Sequence, residues 1–228
     1  MRNRLNIHSV VTVAIVRTAF APKAVADELI NALGVKTSGV GGTGVFFSGG
    51  GNLIIEGCKV TNFASSGIAI APTATSDIVV SSTLVAYNGG HGLYVQPSGG
   101  STFVNVVLDG VHAYNNRLNG IGLYANVLPD GPGSLIAKVV DSVAAYNSAA
   151  GFYALGGGVP AVIYVFRSMT MQNSNGGIYA DTNSQINVSQ SNLEGDFWNA
   201  PGGFLCSYGD NYVNGIVPPG GCPTRSKT

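Results

Sequence analysis

A short glycine-led motif recurs through the chain and constrains its fold more than any other feature. Each copy is a glycine followed by an apolar, a variable and an apolar residue, and successive copies begin 23 to 31 residues apart. The leading glycines are Gly44, Gly67, Gly92, Gly120, Gly151, Gly177 and Gly203. Repeats of this length are typical of architectures in which neighbouring units stack and share one core.

Each repeat continues with two further short apolar segments, and none of them has a helical period. The third segment ends at an asparagine. In the sixth repeat Asp196 takes that place, and residues 197–202 are interpreted as an insertion after it. The asparagines are Asn62, Asn88, Asn115, Asn147 and Asn173. A propeller needs about four strands and ~40 residues per unit, so three strands in a shorter repeat fit it poorly. The sequence predicts an all-β, single-stranded parallel β-helix of about six to seven rungs.

Two kinds of corner are expected between the strands. Asparagine tolerates the left-handed backbone conformation that sharp corners require, and asparagines in register can form a hydrogen-bonded ladder. A column of small residues marks a second corner. Its members are Gly57, Thr83, Gly110, Ser142, Ser168 and Ser191.

The repeat sets the expected domain boundaries: a lead-in or cap over 27–43, the β-helix over 44–217 and a flexible tail over 218–228. Residues 1–26 contain four basic residues, no acid, an apolar stretch and Ala-Val-Ala at 24–26. These features fit an export signal, and an irregular first segment of the fold fits them too. We expect a secreted or cell-surface protein, with a cytoplasmic location left open. Cys206 and Cys222 either form a disulfide or remain separate thiols.

Composition excludes several classes of protein. The 228 residues include 33 glycines without a collagen period, 45% are hydrophobic and the formal net charge is zero, so neither collagen nor disorder fits. No apolar run approaches the ~18 residues that a membrane span needs. Residues 44–217 contain four basic and nine acidic residues, a formal charge of −5. This charge argues against nucleic acid and against acidic polysaccharides as partners.

Three motifs give the chain a family resemblance. They are Gly-Asn-Leu-Ile-Ile-Glu-Gly-Cys at 51–58, Asp-Ser-Val-Ala-Ala-Tyr-Asn at 141–147 and Ser-Tyr-Gly-Asp-Asn-Tyr-Val-Asn-Gly at 207–215. With them the chain resembles, over about residues 40–217, the right-handed parallel β-helix proteins of the pectate-lyase-like superfamily, in particular bacterial right-handed β-helix repeat proteins. The resemblance implies the fold, but it does not select among lyases, hydrolases, carbohydrate-binding surface proteins and relatives of unassigned function.

One column of polar residues offers candidates for catalysis. Counting six residues back from each corner gives Glu56, Ser82, Asp109, Asp141, Arg167 and Gln190. On adjacent rungs Asp109 and Asp141 would lie about 5 Å apart, close enough to share a cation or to divide acid and base roles. Arg167 would stabilise developing negative charge and His112 would carry protons. The same residues also serve as ordinary corner formers and as a surface ion pair.

The family comparison does not strengthen the catalytic candidates. Pectate lyases combine calcium-binding acids with an arginine or lysine base, and polygalacturonases combine several aspartates with a histidine and an Arg-x-Lys pair. No Arg-x-Lys occurs in this chain. The sequence therefore implies no metal and no cofactor, and it favours a protein that is not an enzyme.

Six of the ten tyrosines fall in two outward columns. Exposed aromatic rings at regular spacing suit stacking on the apolar faces of sugars, and they also stabilise neighbouring rungs. The first column is Tyr87, Tyr114 and Tyr146, and the second, interrupted by Gly122, is Tyr94, Tyr153 and Tyr179.

The sequence thus leads to three functional hypotheses. The first is a non-catalytic scaffold that binds neutral carbohydrate through the tyrosine columns. The second is a polysaccharide lyase or glycoside hydrolase that uses the aspartate pair. The third is a purely structural or cell-surface interaction protein. The oligomeric state stays open.

Overall fold

A computed structural model of the chain describes residues 42–98, 103–126, 128, 132–195 and 197–215. These residues contain 21 β-strands and no helix, so no helix among them could cross a membrane. The expected export signal, nearly all of the lead-in, the tail, Asp196 and Cys222 lie outside the described residues.

The strands follow one another in groups of three, and each group forms one coil. The first four coils contain β1 (Val45–Phe47), β2 (Gly51–Glu56), β3 (Lys59–Thr61), β4 (Ile68–Ile70), β5 (Ser76–Ser81), β6 (Leu84–Ala86), β7 (Leu93–Val95), β8 (Phe103–Asp109), β9 (His112–Tyr114), β10 (Ile121–Tyr124), β11 (Ser134–Val140) and β12 (Val143–Ala145). The last three contain β13 (Phe152–Leu155), β14 (Ala161–Phe166), β15 (Met169–Met171), β16 (Ile178–Ala180), β17 (Ser184–Ser189), β18 (Asn192–Glu194), β19 (Phe197–Asn199), β20 (Gly203–Ser207) and β21 (Tyr212–Asn214).

Each strand pairs in parallel with the strand three positions later, which produces three seven-stranded sheets. Sheet A contains β1, β4, β7, β10, β13, β16 and β19. Sheet B contains β2, β5, β8, β11, β14, β17 and β20, and sheet C contains β3, β6, β9, β12, β15, β18 and β21. Seven coils at a strand spacing of about 4.8 Å give a stack about 29 Å long. The predicted parallel β-helix is confirmed.

The core fills the space enclosed by the three sheets. Alternate residues of each strand point inward, as in β8, where buried and exposed positions alternate over the whole strand. Inward residues such as Ile121, Leu123 and Phe152 are fully buried and belong to one cluster that runs through all coils. The apolar triplets of the repeat exist because no single coil can bury its own inner face.

Buried asparagines form a ladder at the corner between sheets C and A. The Nδ2 atoms of Asn88, Asn116 and Asn147 donate to the Oδ1 atom of the asparagine in the next coil, at 2.9–3.0 Å, and the last acceptor is Asn173. Asn116, not Asn115, holds the ladder position in the third coil. Asn115 stands one residue earlier in the left-handed conformation, with φ 51°.

Hydroxyl groups form a second ladder at the corner between sheets B and C. The backbone N–H groups of Val111, Ser142 and Ser168 donate to serine Oγ atoms one coil further on, at 3.0–3.1 Å. Gly57 and Gly110, which the sequence placed in this column, instead occupy the preceding left-handed position, with φ 63° and 64°. They share that position with Ser82, Asp141, Arg167 and Gln190.

The last coil departs from the predicted repeat. The seventh strand of sheet A is β19, and the glycine-led segment at Gly203 is β20 of sheet B. Six of the seven glycines therefore precede a strand of sheet A. The segment after Asp196 is not an insertion, because β19 pairs directly with β16.

Candidate functional site

The outer face of sheet A carries a row of aromatic side chains. Seven positions lie in register, one in each coil: Phe46, Ala69, Tyr94, Gly122, Tyr153, Tyr179 and Trp198. The two aromatic residues at the ends are exposed, 51% for Phe46 and 55% for Trp198, whereas the tyrosines between them are half-buried. The register therefore aligns Tyr94, Tyr153 and Tyr179 as the sequence predicts and extends the row to both ends of the stack.

Tyr124 fills the gap that Gly122 leaves in this row. A Cβ atom at Gly122 would lie 2.7 Å from Cε2 of Tyr124, so only glycine lets the ring fold over the strand. The ring centroid of Tyr124 lies 6.2 Å from that of Tyr94 and 5.2 Å from that of Tyr153, and Tyr153 lies 5.4 Å from Tyr179. We call the four contacting tyrosines together with Trp198 the aromatic ladder.

Hydrogen bonds fix the orientation of two rings in the aromatic ladder. The Tyr153 hydroxyl donates to Oδ2 of Asp181 at 2.7 Å. The pKa of Tyr153 is raised, mainly by burial and secondly by this hydrogen bond. The Tyr124 hydroxyl accepts from Nδ2 of Asn119 at 2.7 Å. Burial raises the pKa of Tyr124 to about 12, so both hydroxyls stay protonated at neutral pH.

A cleft of about 440 Å³ opens at one end of the aromatic ladder. Tyr94 and Tyr124 line it on the side of sheet A, and the exposed side chain of Leu118 lines it at the corner. Gly89 and Gly90 contribute no side chains to the turn of the preceding coil, which leaves the space open. Its volume lies within the range of roughly 300–1,000 Å³ that small-molecule sites have.

His91 forms part of the wall of this cleft in its neutral form. Burial lowers the pKa of His91 to about 4, so the ring is uncharged at neutral pH. The backbone N–H of Asn119 donates to Nδ1 of His91 at 3.3 Å, which places the ring proton on Nε2. The ring centroid of His91 lies 5.3 Å from those of Tyr94 and Tyr124, so the imidazole adds a third ring to the aromatic wall.

The other predicted tyrosine column is not straight. Tyr87 and Tyr146 occupy left-handed corner positions and are 62% and 45% exposed. Tyr114 ends β9 in register with Ala145, one residue before the corner, and its ring packs at 5.8 Å against His112. The column therefore reduces to two exposed rings that stand two coils apart.

The catalytic candidates lie at the corner between sheets B and C. Nε and Nη2 of Arg167 donate to the two carboxylate oxygens of Asp141 at 2.8 and 2.7 Å, and this hydrogen bonding lowers the pKa of Asp141. Both side chains are about half exposed, so the pair is a surface ion pair. Asp109 is in register with Val140 and not with Asp141, and His112 is exposed at the start of β9. Among the described residues no cluster of histidine, cysteine, aspartate and glutamate could hold a metal ion.

Sequence reasoning missed three residues of this region. Tyr124 lies two positions after the glycine that interrupts the column, and that offset was a readable signal. Trp198 was assigned to an insertion, although its segment has the length of a short strand. His91 carries no signal in the sequence, because its contacts with Asn119 and Tyr124 join residues about 30 positions apart.

Comparison with known proteins identifies the fold family alone. A family model described as a right-handed β-helix region matches residues 30–127. No curated protein and no solved structure gives a significant match. With this match and seven coils in three parallel sheets, the chain has the fold of a right-handed parallel β-helix.

Proposed function

We propose that the protein is a non-catalytic β-helix scaffold that binds neutral carbohydrate along the aromatic ladder of sheet A. The observation that carries the proposal is the continuity of the ladder. Ring contacts join Tyr94 to Tyr179, and the strand register adds Trp198 beyond them. Four strand spacings of about 4.8 Å make this row roughly 19 Å long.

The surroundings of the ladder favour a polar, uncharged ligand. Gln96, Asn126, Asp181 and Thr182 follow the sheet A strands and lie at their carboxyl ends, where they can bond to sugar hydroxyls. Nine acids against four bases in residues 44–217 disfavour an anionic polymer. Aromatic rings beside hydrogen-bonding groups suit the two kinds of surface that a pyranose presents.

The ring geometry is compatible with a structural role as well. Neighbouring rings meet at interplanar angles of 37–85°, and such tilted and edge-to-face contacts stabilise a sheet surface by themselves.

The protein is also proposed to act outside the cytoplasm. Cys206 is disulfide-bonded, and disulfides persist chiefly in oxidising compartments. Expression of the full chain followed by assay of the medium and the cell surface tests this part of the proposal, and retention in the cytoplasm contradicts it.

Calorimetric titration with a panel of neutral and acidic oligosaccharides tests the carbohydrate proposal. We expect a neutral member to bind and the acidic members to bind weakly or not at all. Replacing Tyr179 by Ala should weaken binding about tenfold, which corresponds to about 1.4 kcal/mol for one lost stacking ring.

Tyr164→Ala is the matched control, because Tyr164 is an exposed tyrosine on sheet B. It should leave the affinity unchanged. A double variant in which Ala replaces both Tyr87 and Tyr146 tests the two exposed corner rings in the same titration. The absence of binding across the whole panel would contradict the proposal and leave a structural or surface-interaction role.

A further inference from the structure

We infer that the cleft beside Tyr94 and Tyr124 is a separate binding site for a single neutral sugar unit, in which the end of the glycan is held. This inference rests on the proposed function, because it identifies which part of the ligand binds at one end of the aromatic ladder. The cleft site differs from the ladder site in its location, in the length of the ligand that it holds and in the mutations that affect it.

The cleft exists because two turns in adjacent coils differ in bulk. Gly89 and Gly90 form the turn on one side. A Cβ atom added at Gly89 would clash with the carbonyl oxygen of Ala64, and one added at Gly90 would lie 2.6 Å from Oγ of Ser66. Close approach to the neighbouring coil therefore requires glycine at both positions. In the next coil Leu118 projects from the equivalent turn and is 44% exposed.

The residues that line the cleft present one apolar wall and several hydrogen-bonding groups, and no lining residue is charged. Leu118 and Tyr94 supply the apolar surface, and the uncharged His91 ring lies beside them. The Gln96 amide and the Ser66 hydroxyl supply polar groups. A pyranose ring combines an apolar face with a rim of hydroxyls, so it matches this lining better than an ion or a purely apolar molecule does.

The position of the cleft limits what can occupy it. It lies over the turns that enter coils two to four, whereas the aromatic ladder continues away from it to Trp198 in coil seven. Tyr94 and Trp198 are separated by four strand spacings, roughly 19 Å. A short ligand in the cleft therefore cannot contact Trp198, but a long ligand that also lies on the ladder can.

Trp198 is the single tryptophan of the chain and reports on the two sites separately. The probes are a neutral monosaccharide and a longer neutral oligosaccharide of the same sugar, chosen from the panel hit. We expect calorimetry to detect both, with the monosaccharide weaker, and the fluorescence of Trp198 to change only with the longer one.

Leu118→Arg tests the cleft directly, because it adds bulk and charge at an exposed rim position. Monosaccharide binding should weaken more than tenfold, and the oligosaccharide should still alter the fluorescence of Trp198. Leu118→Met should retain binding, and Arg117→Ala, in the same turn but outside the lining, is the matched control. Thermal unfolding should be the same for all three variants.

The outcomes separate the two proposals. If the oligosaccharide binds and responds to Tyr179→Ala but not to Leu118→Arg, the cleft inference is overturned and the ladder proposal stands. If the monosaccharide binds and Leu118→Arg abolishes that binding while Tyr179→Ala has no effect on either probe, the cleft stands and the ladder is wrong. If neither probe binds, both are wrong.

Discussion

Each interior asparagine of the buried ladder forms side-chain hydrogen bonds with the coil before it and the coil after it. Oδ1 of Asn116 accepts from the backbone N–H and from Nδ2 of Asn88, at 3.2 and 2.9 Å. Its Nδ2 donates to the Val85 carbonyl and to Asn147, both at 3.0 Å. A single side chain thus compensates polar groups that the turn removes from water.

Replacing Asn116 by Ala should therefore destabilise the fold. The change leaves the two Asn88 donors buried without an acceptor, at a cost of about 1–3 kcal/mol each, so we expect a loss of about 3 kcal/mol. Equilibrium denaturation measures it. Asn115→Gly is the control, because that neighbour is exposed and left-handed, and its free energy of unfolding should change by less than about 0.5 kcal/mol. The opposite ranking of the two variants would contradict the observed register.

The partly buried His91 should make the protein sensitive to acid. Its pKa falls from 6.5 to about 4 on folding because of burial, so the unfolded chain binds a proton in this range that the folded one does not. Its contribution to stability is thus complete above pH 6.5 and declines as the pH falls toward 4, by about 3 kcal/mol in total.

Denaturation of wild type and His91→Gln between pH 3.5 and 8 measures this effect. The difference in unfolding free energy between the two proteins should be constant above about pH 7 and shift against the wild type below it. A difference that does not vary with pH would show that folding does not lower the pKa of His91.

At the scale of the strand, close packing requires the glycine that precedes each sheet A strand in the first six coils. A Cβ atom at Gly151 would lie 2.6 Å from the Gly177 carbonyl oxygen and 2.8 Å from Nδ2 of Asn173. This glycine is therefore needed for space beside the asparagine ladder. The same ladder explains why the glycine and the asparagine recur together in the sequence.

We expect Gly151→Ala to destabilise the protein by about 1–3 kcal/mol, because a backbone carbonyl and a buried amide must both move. Gly110→Asn is the control. Gly110 has φ 64° and a conformation that asparagine tolerates, and a Cβ atom added there would make only ordinary van der Waals contacts with Ser82, so its substitution should cost much less. Thermal denaturation of the two variants gives the comparison, and an equal cost would contradict the packing explanation.

The repeat of glycines and apolar triplets was sufficient to predict the three sheets. It did not determine which residue occupies every corner position. Glycine spacing and apolar triplets depend on the core, which every coil shares, so the three sheets were predictable. The segment 114–116 reads Tyr-Asn-Asn, and apolar periodicity cannot decide which asparagine is inward. Only the fit to Asn88 and Asn147 selects Asn116.

The candidate site was predicted in part for the same reason. Tyr94, Tyr153 and Tyr179 follow from strand alternation within sheet A, which a sequence reveals. The cleft depends on the difference in bulk between the turns at Gly90 and Leu118 in separate coils, and no period encodes that difference.

At the scale of the whole molecule, the coils form a one-dimensional stack. Each coil hydrogen-bonds only to the coils next to it, so an end coil has one neighbour where an interior coil has two. In the described residues the last coil consists of β19, β20 and β21, and Cys206 of β20 is disulfide-bonded. A covalent link opposes local opening of the coil that contains it.

Reduction of the disulfide should therefore loosen the last coil selectively. Hydrogen exchange with and without reductant should show faster exchange in Gly203–Ser207 and Tyr212–Asn214, with little change in Ser134–Val140 of the fourth coil. Cys206→Ser should reproduce the effect without reductant and show no further change when reductant is added. Equal acceleration in all three strands would contradict nearest-neighbour stacking, because it would mean that the coils open as one cooperative unit.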